Sequence, residues 1–239
     1  MSAGPDWFSV ASEPSIRSAC ETESAEAELH TRICQLREKL SAQDLWYADV
    51  LQGLWRESVS EFSAIRRDYQ NPQDRDVSLL AWRARNILEL VTWCMHCVRH
   101  TNNARRLYED AGRDVRDIAK AFLKWGTLIN QPKDWVDGPQ RVVDSVESQA
   151  QSVGIESLDG PFVRVSDAAK DCGFDASFAV ANKLFSKLAH PTAMMILGAL
   201  DEGSIAKQRD AIFGNACVLF LGTFEVLDRR VTSALATMS

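Results

Sequence analysis

At 239 residues, 46% hydrophobic and 25% charged, the chain has ordinary globular composition and enough length for one large core or two small ones. Its 27 Lys+Arg against 33 Asp+Glu leave a formal net charge of -6, which excludes a global positive field drawing it to nucleic acid or anionic lipid. Six cysteines, at 20, 34, 94, 97, 172 and 217, follow no basic-then-apolar leader, so reduced thiols in a cytoplasmic protein are expected.

Residues 1–20, with Pro5, Pro14, several serines and no apolar period, read as a mobile N-terminal arm in which Trp7, Phe8 and Val10 dock locally; residues 21–239 read as a single all-helical domain. From Thr22 to Tyr69, Leu29, Ile33, Leu36 and Leu40, then Tyr47, Val50, Leu51, Leu54 and Ile65, recur at helical spacing. One long helix or two would satisfy this pattern, with Ser41 and Gly53 as the only breaks. Asn71-Pro72 is a stop, and Asp74 or Asp76 is placed to cap the next helix.

That helix, 76–99, has a broad apolar face of Leu80, Ala84, Ile87, Leu88, Val91, Met95 and Val98. Along one edge run Arg85, Glu89, Thr92 and His96, spaced so that an acid, a base and a titratable ring share one side. A third amphipathic helix, 104–129, follows the Thr101-Asn102-Asn103 turn. Its charges, Arg105, Arg106, Glu109, Asp110, Arg113, Asp114, Arg116 and Asp117, read as a solvated face.

Gln131-Pro132 and Trp135-Val136-Asp137-Gly138-Pro139 read as a turn-rich connection before a short helix over 140–152. A small helix at 167–171 closes on Gly173, at a position that wants a left-handed backbone. The next helix carries Phe178, Asn182, Ser186 and His190 on one side and Ala181, Leu184, Phe185 and Leu188 on the neighbouring side, and Pro191 stops or kinks it. Helical apolar segments, 194–200 and 205–237, finish the chain. The run Ala211–Leu227 is interrupted by Asn215, Thr223 and Glu225 and falls short of the roughly twenty apolar residues of a spanning helix, so it reads as a core helix with no membrane contact. No stretch alternates as strands do, and the expected fold is an all-α antiparallel bundle with additional helices.

Cys94-Met95-His96-Cys97, with His100 beyond, is the motif a metal search would return first. A structural zinc needs four ligands and no second pair stands at tight spacing, so these cysteines read as buried core, with no metal and no cofactor expected. Gly-rich phosphate loops, nucleophile elbows and zinc-protease helices are absent from the sequence. Residues 165–178, with Ala168-Ala169, Gly173-Phe174 and Phe178, resemble the helix-turn-helix of AraC-type regulators, but Asp175, Ala176, Ser177 and Ala179 supply little with which to read bases.

A wider likeness runs through Ala84-Arg85-Asn86-Ile87-Leu88-Glu89-Leu90, Asn103-Ala104-Arg105-Arg106, Val163-Arg164 and Leu184-Phe185-Ser186-Lys187-Leu188-Ala189-His190-Pro191. It resembles a bacterial helical family catalogued as domain of unknown function 5677, and is similar to the higher eukaryotes and prokaryotes nucleotide-binding (HEPN) superfamily. That resemblance implies a helical bundle of bacterial defence or stress response, a metal-independent endoribonuclease and a homodimer with the site at its interface. His190 would then serve as general acid or base toward RNA, with Arg85 or Lys183 stabilising phosphorane charge and Glu89 and Ser186 beside them. The chain departs from the superfamily's Arg-then-His signature: Lys183 stands seven residues before His190, and Leu184 and Phe185 occupy the nearer arginine positions. The alternative is a non-enzymatic protein-interaction module in which Arg85, Glu89 and His190 form a structural clasp; a helix-turn-helix DNA-binding regulator is the third reading.

Overall fold

In a computed structural model of the protein, residues 13–24, 26–71, 76–190 and 202–238 are described. The regular secondary structure among them is all helix, in keeping with the absence of any alternating apolar pattern. The helices are α1 (Glu13–Ser24), α2 (Glu26–Lys39), α3 (Leu45–Gln70), α4 (Val77–Arg99), α5 (Thr101–Leu128), α6 (Lys133–Ser152), α7 (Val165–Asp171), α8 (Asp175–Ala189) and α9 (Glu202–Thr237). The expected segment 194–200, the capping alternative Asp74, and Trp7, Phe8 and Val10 lie outside the described residues.

α1 begins inside the stretch expected as an irregular arm, because Ala19 is fully buried and Ile16 packs on the core. Glu23 near its end takes an ion pair from Arg66 at 2.7 Å and a hydrogen bond from Ser63 of α3. The break between α2 and α3 falls at Ser41, whose hydroxyl donates to Asp44 at 2.6 Å, while Gly53 passes through the middle of α3 without interrupting it. Asp76 caps α4, its carboxylate accepting from the backbone N–H of Ser78 at 2.8 Å and Leu79 at 3.2 Å.

α4 is the central helix: α3, α5, α7, α8 and α9 all pack against it. Leu80, Ala84, Ile87, Leu88, Val91, Cys94 and Cys97 are fully buried, while Met95 and Val98, expected in the core, sit half-buried at its edge. α9 lies along α4 and α3 and completes the core with Phe213, Phe220, Leu227 and Val231. Its Phe220 stacks on Phe62 at 4.2 Å between ring centroids, and its Phe213 on Tyr69 at 4.1 Å. Residues Ile205–Thr237 are long and apolar enough, by length and composition alone, to cross a membrane; the shorter run weighed from sequence missed this because the helix continues beyond it. In the fold this helix buries its apolar residues against α1 to α4.

α5 and α6 form a hairpin in which α6 makes no more than marginal contact with any other described helix. Two sequence expectations fail here. The segment 133–139 is not a turn but the start of α6, with Pro139 inside the helix. The supposedly solvated charges of α5 are partly interior: Asp110, Arg113 and Arg116 are buried, because the loop 155–164 folds over them and supplies backbone partners.

Candidate functional site

The polar edge of α4 meets α8 and α7 in two separate clusters. In the first, Arg85 pairs with Glu89 one turn on, at 3.0 Å, and its Nε donates to Asn182 Oδ1 of α8 at 3.1 Å. Ser186 donates weakly to the same oxygen at 3.5 Å. Arg85 and Glu89, which spacing set on one edge of α4, thus meet Ser186 of α8, with Asn182 as the bridge. Beside them a cleft of about 280 Å³ is lined by Glu57, Glu61, Asn86, Glu89, Leu90 and Trp93. Each of its three carboxylates is already paired with a guanidinium, Glu57 with Arg56, Glu61 with Arg83 and Glu89 with Arg85.

The remaining site candidates sit apart from this pairing. Lys183 is exposed on the outward side of α8. His190 follows the last turn of α8 in extended backbone, at φ -109 and ψ 152, and is exposed. Among the described residues no hydrogen bond or ion pair joins His190 to Arg85 or Glu89. Two helical turns separate it from Asn182, about 12 Å along the axis. Leu184, expected on the core side, is also exposed; Phe178, Ala181, Phe185 and Leu188 are the positions that face α4.

The second cluster uses a residue of the α4 stripe that sequence reasoning had left without a role. His96 Nδ1 lies 3.0 Å from Asp171 Oδ2 at the end of α7, and Asn103 Nδ2 donates to the His96 carbonyl at 2.9 Å and to the same carboxylate at 3.3 Å. Arg99 donates to the Asp171 carbonyl at 2.5 Å. Gly173, at φ 69, then turns the chain from α7 into α8 in the left-handed conformation its position in the sequence called for. The signal was available: His96 is four residues past Thr92 on the polar edge, and Asn103 opens the next helix. What the sequence lacked was any local sign that Asp171, far along the chain, would be the partner.

His96, Asp171 and Cys172 offer ligand atoms within 4.8 Å of one another. Burial, with the adjacent Asp171 carboxylate, pushes the Cys172 thiol up to about 11, so it is a protonated neighbour rather than a ready thiolate. Asp171 already holds the imidazole nitrogen, and three groups fall one short of a closed tetrahedral site. His96, Asn103 and Asp171 read as a clasp binding α4, α5 and α7. Cys94 and Cys97 turn into the core, where burial raises the first thiol well above its usual value and the second to about 12.

The helix-turn-helix-like segment presents Ala179, Val180, Lys183, Leu184 and Lys187 outward from α8. Ammonium groups among aliphatic side chains suit phosphate contacts, and none of these residues carries the bidentate group that reads a base edge.

Elsewhere the surface is unusual at the α5–α6 hairpin, where Val115, Ile118, Phe122, Trp125 and Leu128 are between 45% and 71% exposed. Phe122, Trp125 and Trp135 meet edge to face at the hairpin tip, with centroids 5.7 to 6.4 Å apart.

Comparison with protein-family models, with curated proteins and with solved structures gives no match. The likeness to the helical defence family therefore rests on its short motifs alone.

Proposed function

We propose that the protein is a non-enzymatic interaction module, with a body built on α4 and α9 that carries the α5–α6 hairpin as its binding element. The observation that carries this reading is the contrast between two surfaces. Arg85 is engaged with Glu89 and Asn182, and His96 with Asp171, while His190 stands exposed and, among the described residues, bonds to neither group. The hairpin instead leaves a row of large apolar side chains open to solvent. Monomeric proteins rarely leave such a patch uncovered unless something binds there.

Incubating wild type and His190→Ala with total RNA under chelator tests the reading. Neither should degrade RNA, and Phe122→Glu, unlike His190→Ala, should release whatever protein the chain holds. RNA cleavage by wild type that His190→Ala abolishes at unchanged melting temperature would overturn the module and restore the ribonuclease.

A further inference from the structure

The exposed row on α5 has a repeat. Ala111, Val115, Ile118, Phe122, Trp125 and Ile129 follow at intervals of four, three, four, three and four residues, the seam of a coiled coil. On α6, Trp135, Pro139, Val142, Val146 and Gln149 follow at four, three, four and three. The small residues Gly112, Ala119 and Gly126 lie on the adjoining side of α5, two of them against α6 side chains: a Cβ at Gly112 would stand 3.7 Å from Val146, and one at Gly126 would collide with the Trp135 ring. So α6 sets Trp135 and Val146 of its seam on the small-residue side of α5, half-burying them, and leaves the α5 row together with Val142 and Gln149 facing outward. That is half of a four-helix bundle without its other half.

Resting on the module reading, we infer that the occupant of this face is a second copy of the chain, docked antiparallel about a two-fold axis beside Ile118 and Val142 to close a four-helix bundle. The shape of the face supplies the argument. One heptad from Ile118 toward the tip stands Trp125, and one heptad the other way stands Ala111; from Val142 the corresponding positions are Trp135 and Gln149. The tip is thus bulky. The base is hollow, a cleft of about 210 Å³ lined by Tyr108, Ala111, Gly112, Val115, Val146 and Gln149 among others. Swapping ends by a two-fold rotation sets each aromatic tip over the partner's hollow at equal distances from the axis, the self-complementarity that a closed dimer requires.

Area and charge agree with this. Val115, Ile118, Phe122, Trp125, Leu128, Ile129 and Val142, each from 41% to 71% exposed, offer apolar surface on the order of 700 Å², close to the roughly 800 Å² per partner of a standard interface. Arg116, Asp117, Lys120, Lys124, Arg141 and Asp144 fall at positions away from both seams, so a like copy brings no row of equal charges into contact.

Light scattering on the full chain should give twice the 26.7 kDa chain mass, falling to the single mass for Ile118→Glu and Phe122→Glu with helical content unchanged. Both side chains are about half-exposed, so the variants retain a folded monomer. Mixed Val115→Cys and Phe122→Cys chains should form a disulfide-linked dimer on mild oxidation, more readily than either alone or wild type, because antiparallel docking sets these positions opposite each other. A single mass at every concentration overturns the two-copy assembly and leaves the module reading to another partner. A dimer that both glutamate variants leave intact overturns the use of this face.

Discussion

Arg113 carries a full charge into the protein, with its side chain only 2% exposed. It is ion-paired with Asp110 one turn back on α5, its Nε donates to the Leu158 carbonyl at 2.6 Å, and its guanidinium lies 5.7 Å from the Phe162 ring. The other Asp110 oxygen accepts from the Val163 N–H at 2.9 Å, so one acid and one base stitch the loop 155–164 to α5. Removing one member of a buried pair leaves the charge of the other uncompensated, a loss of about 3–5 kcal/mol. Arg113→Ala should therefore lower the urea midpoint by a large fraction of total stability and expose the loop to protease. Asp159→Asn offers the contrast. That carboxylate is tied to Arg116 at 3.0 Å but is 83% exposed, and the Arg116 hydrogen bond and charge hold its pKa below the usual range. Solvent screens the contact, so its loss should scarcely move the midpoint. Equal effects of the two substitutions in urea unfolding followed by circular dichroism would contradict this account.

At the scale of elements, two helical glycines give the same substitution opposite signs. Gly53 in α3 has nothing within 4 Å of a built Cβ, so Gly53→Ala should stabilise by up to about 1 kcal/mol through helix propensity. Gly126 in α5 lies against the Trp135 ring, and Gly126→Ala must push α6 away; overpacking of about 1–3 kcal/mol outweighs the same propensity gain. Thermal melts of the two variants, one raised and one lowered, check the pair. The same elements mark what was legible in the sequence. Periodicity located α3, α4 and the C-terminal helix, and the Asp76 cap and the Gly173 turn followed from local chemistry. Periodicity reports which side of a helix is apolar, not what the polar side meets. Hence Asp110, Arg113 and Arg116 read as solvated although a loop more than forty residues away buries them, and His96 lacked its partner Asp171. Pro139 read as a turn because proline usually ends helices, whereas α6 runs through it. Spacing put Arg85 with Glu89 on one helix and Asn182 with Ser186 on another; only the likeness to the helical family joined the two, and no local signal marked Asn182 as the link.

For the whole molecule, the core between α4 and α9 couples stability to pH through its thiols. Burial, the largest influence on each, raises Cys94 well above its ordinary value and Cys97 and Cys217 to about 12. In the unfolded chain the same thiols lose their protons near pH 8.5, roughly three units lower. Below that pH both states hold the protons and the contribution to stability is complete. As pH rises from about 9 toward 12 the unfolded state sheds protons that the folded state keeps, so unfolding is favoured, by up to about 1.4 kcal/mol per pH unit for each thiol. Urea unfolding in reductant at unit steps from about pH 8 to about pH 11 should therefore show a midpoint that falls progressively with alkalinity. Tyr69, which burial and its hydrogen bond to Asp210 hold protonated above its usual range, contributes to the same decline. Cys94→Ala and Cys217→Ala separate the thiols from it: each should flatten the alkaline decline while lowering stability at neutral pH through the cavity left behind. A decline as steep in the double variant as in wild type would mean that these sulfurs are solvated in the folded protein, and that α4 and α9 do not enclose them.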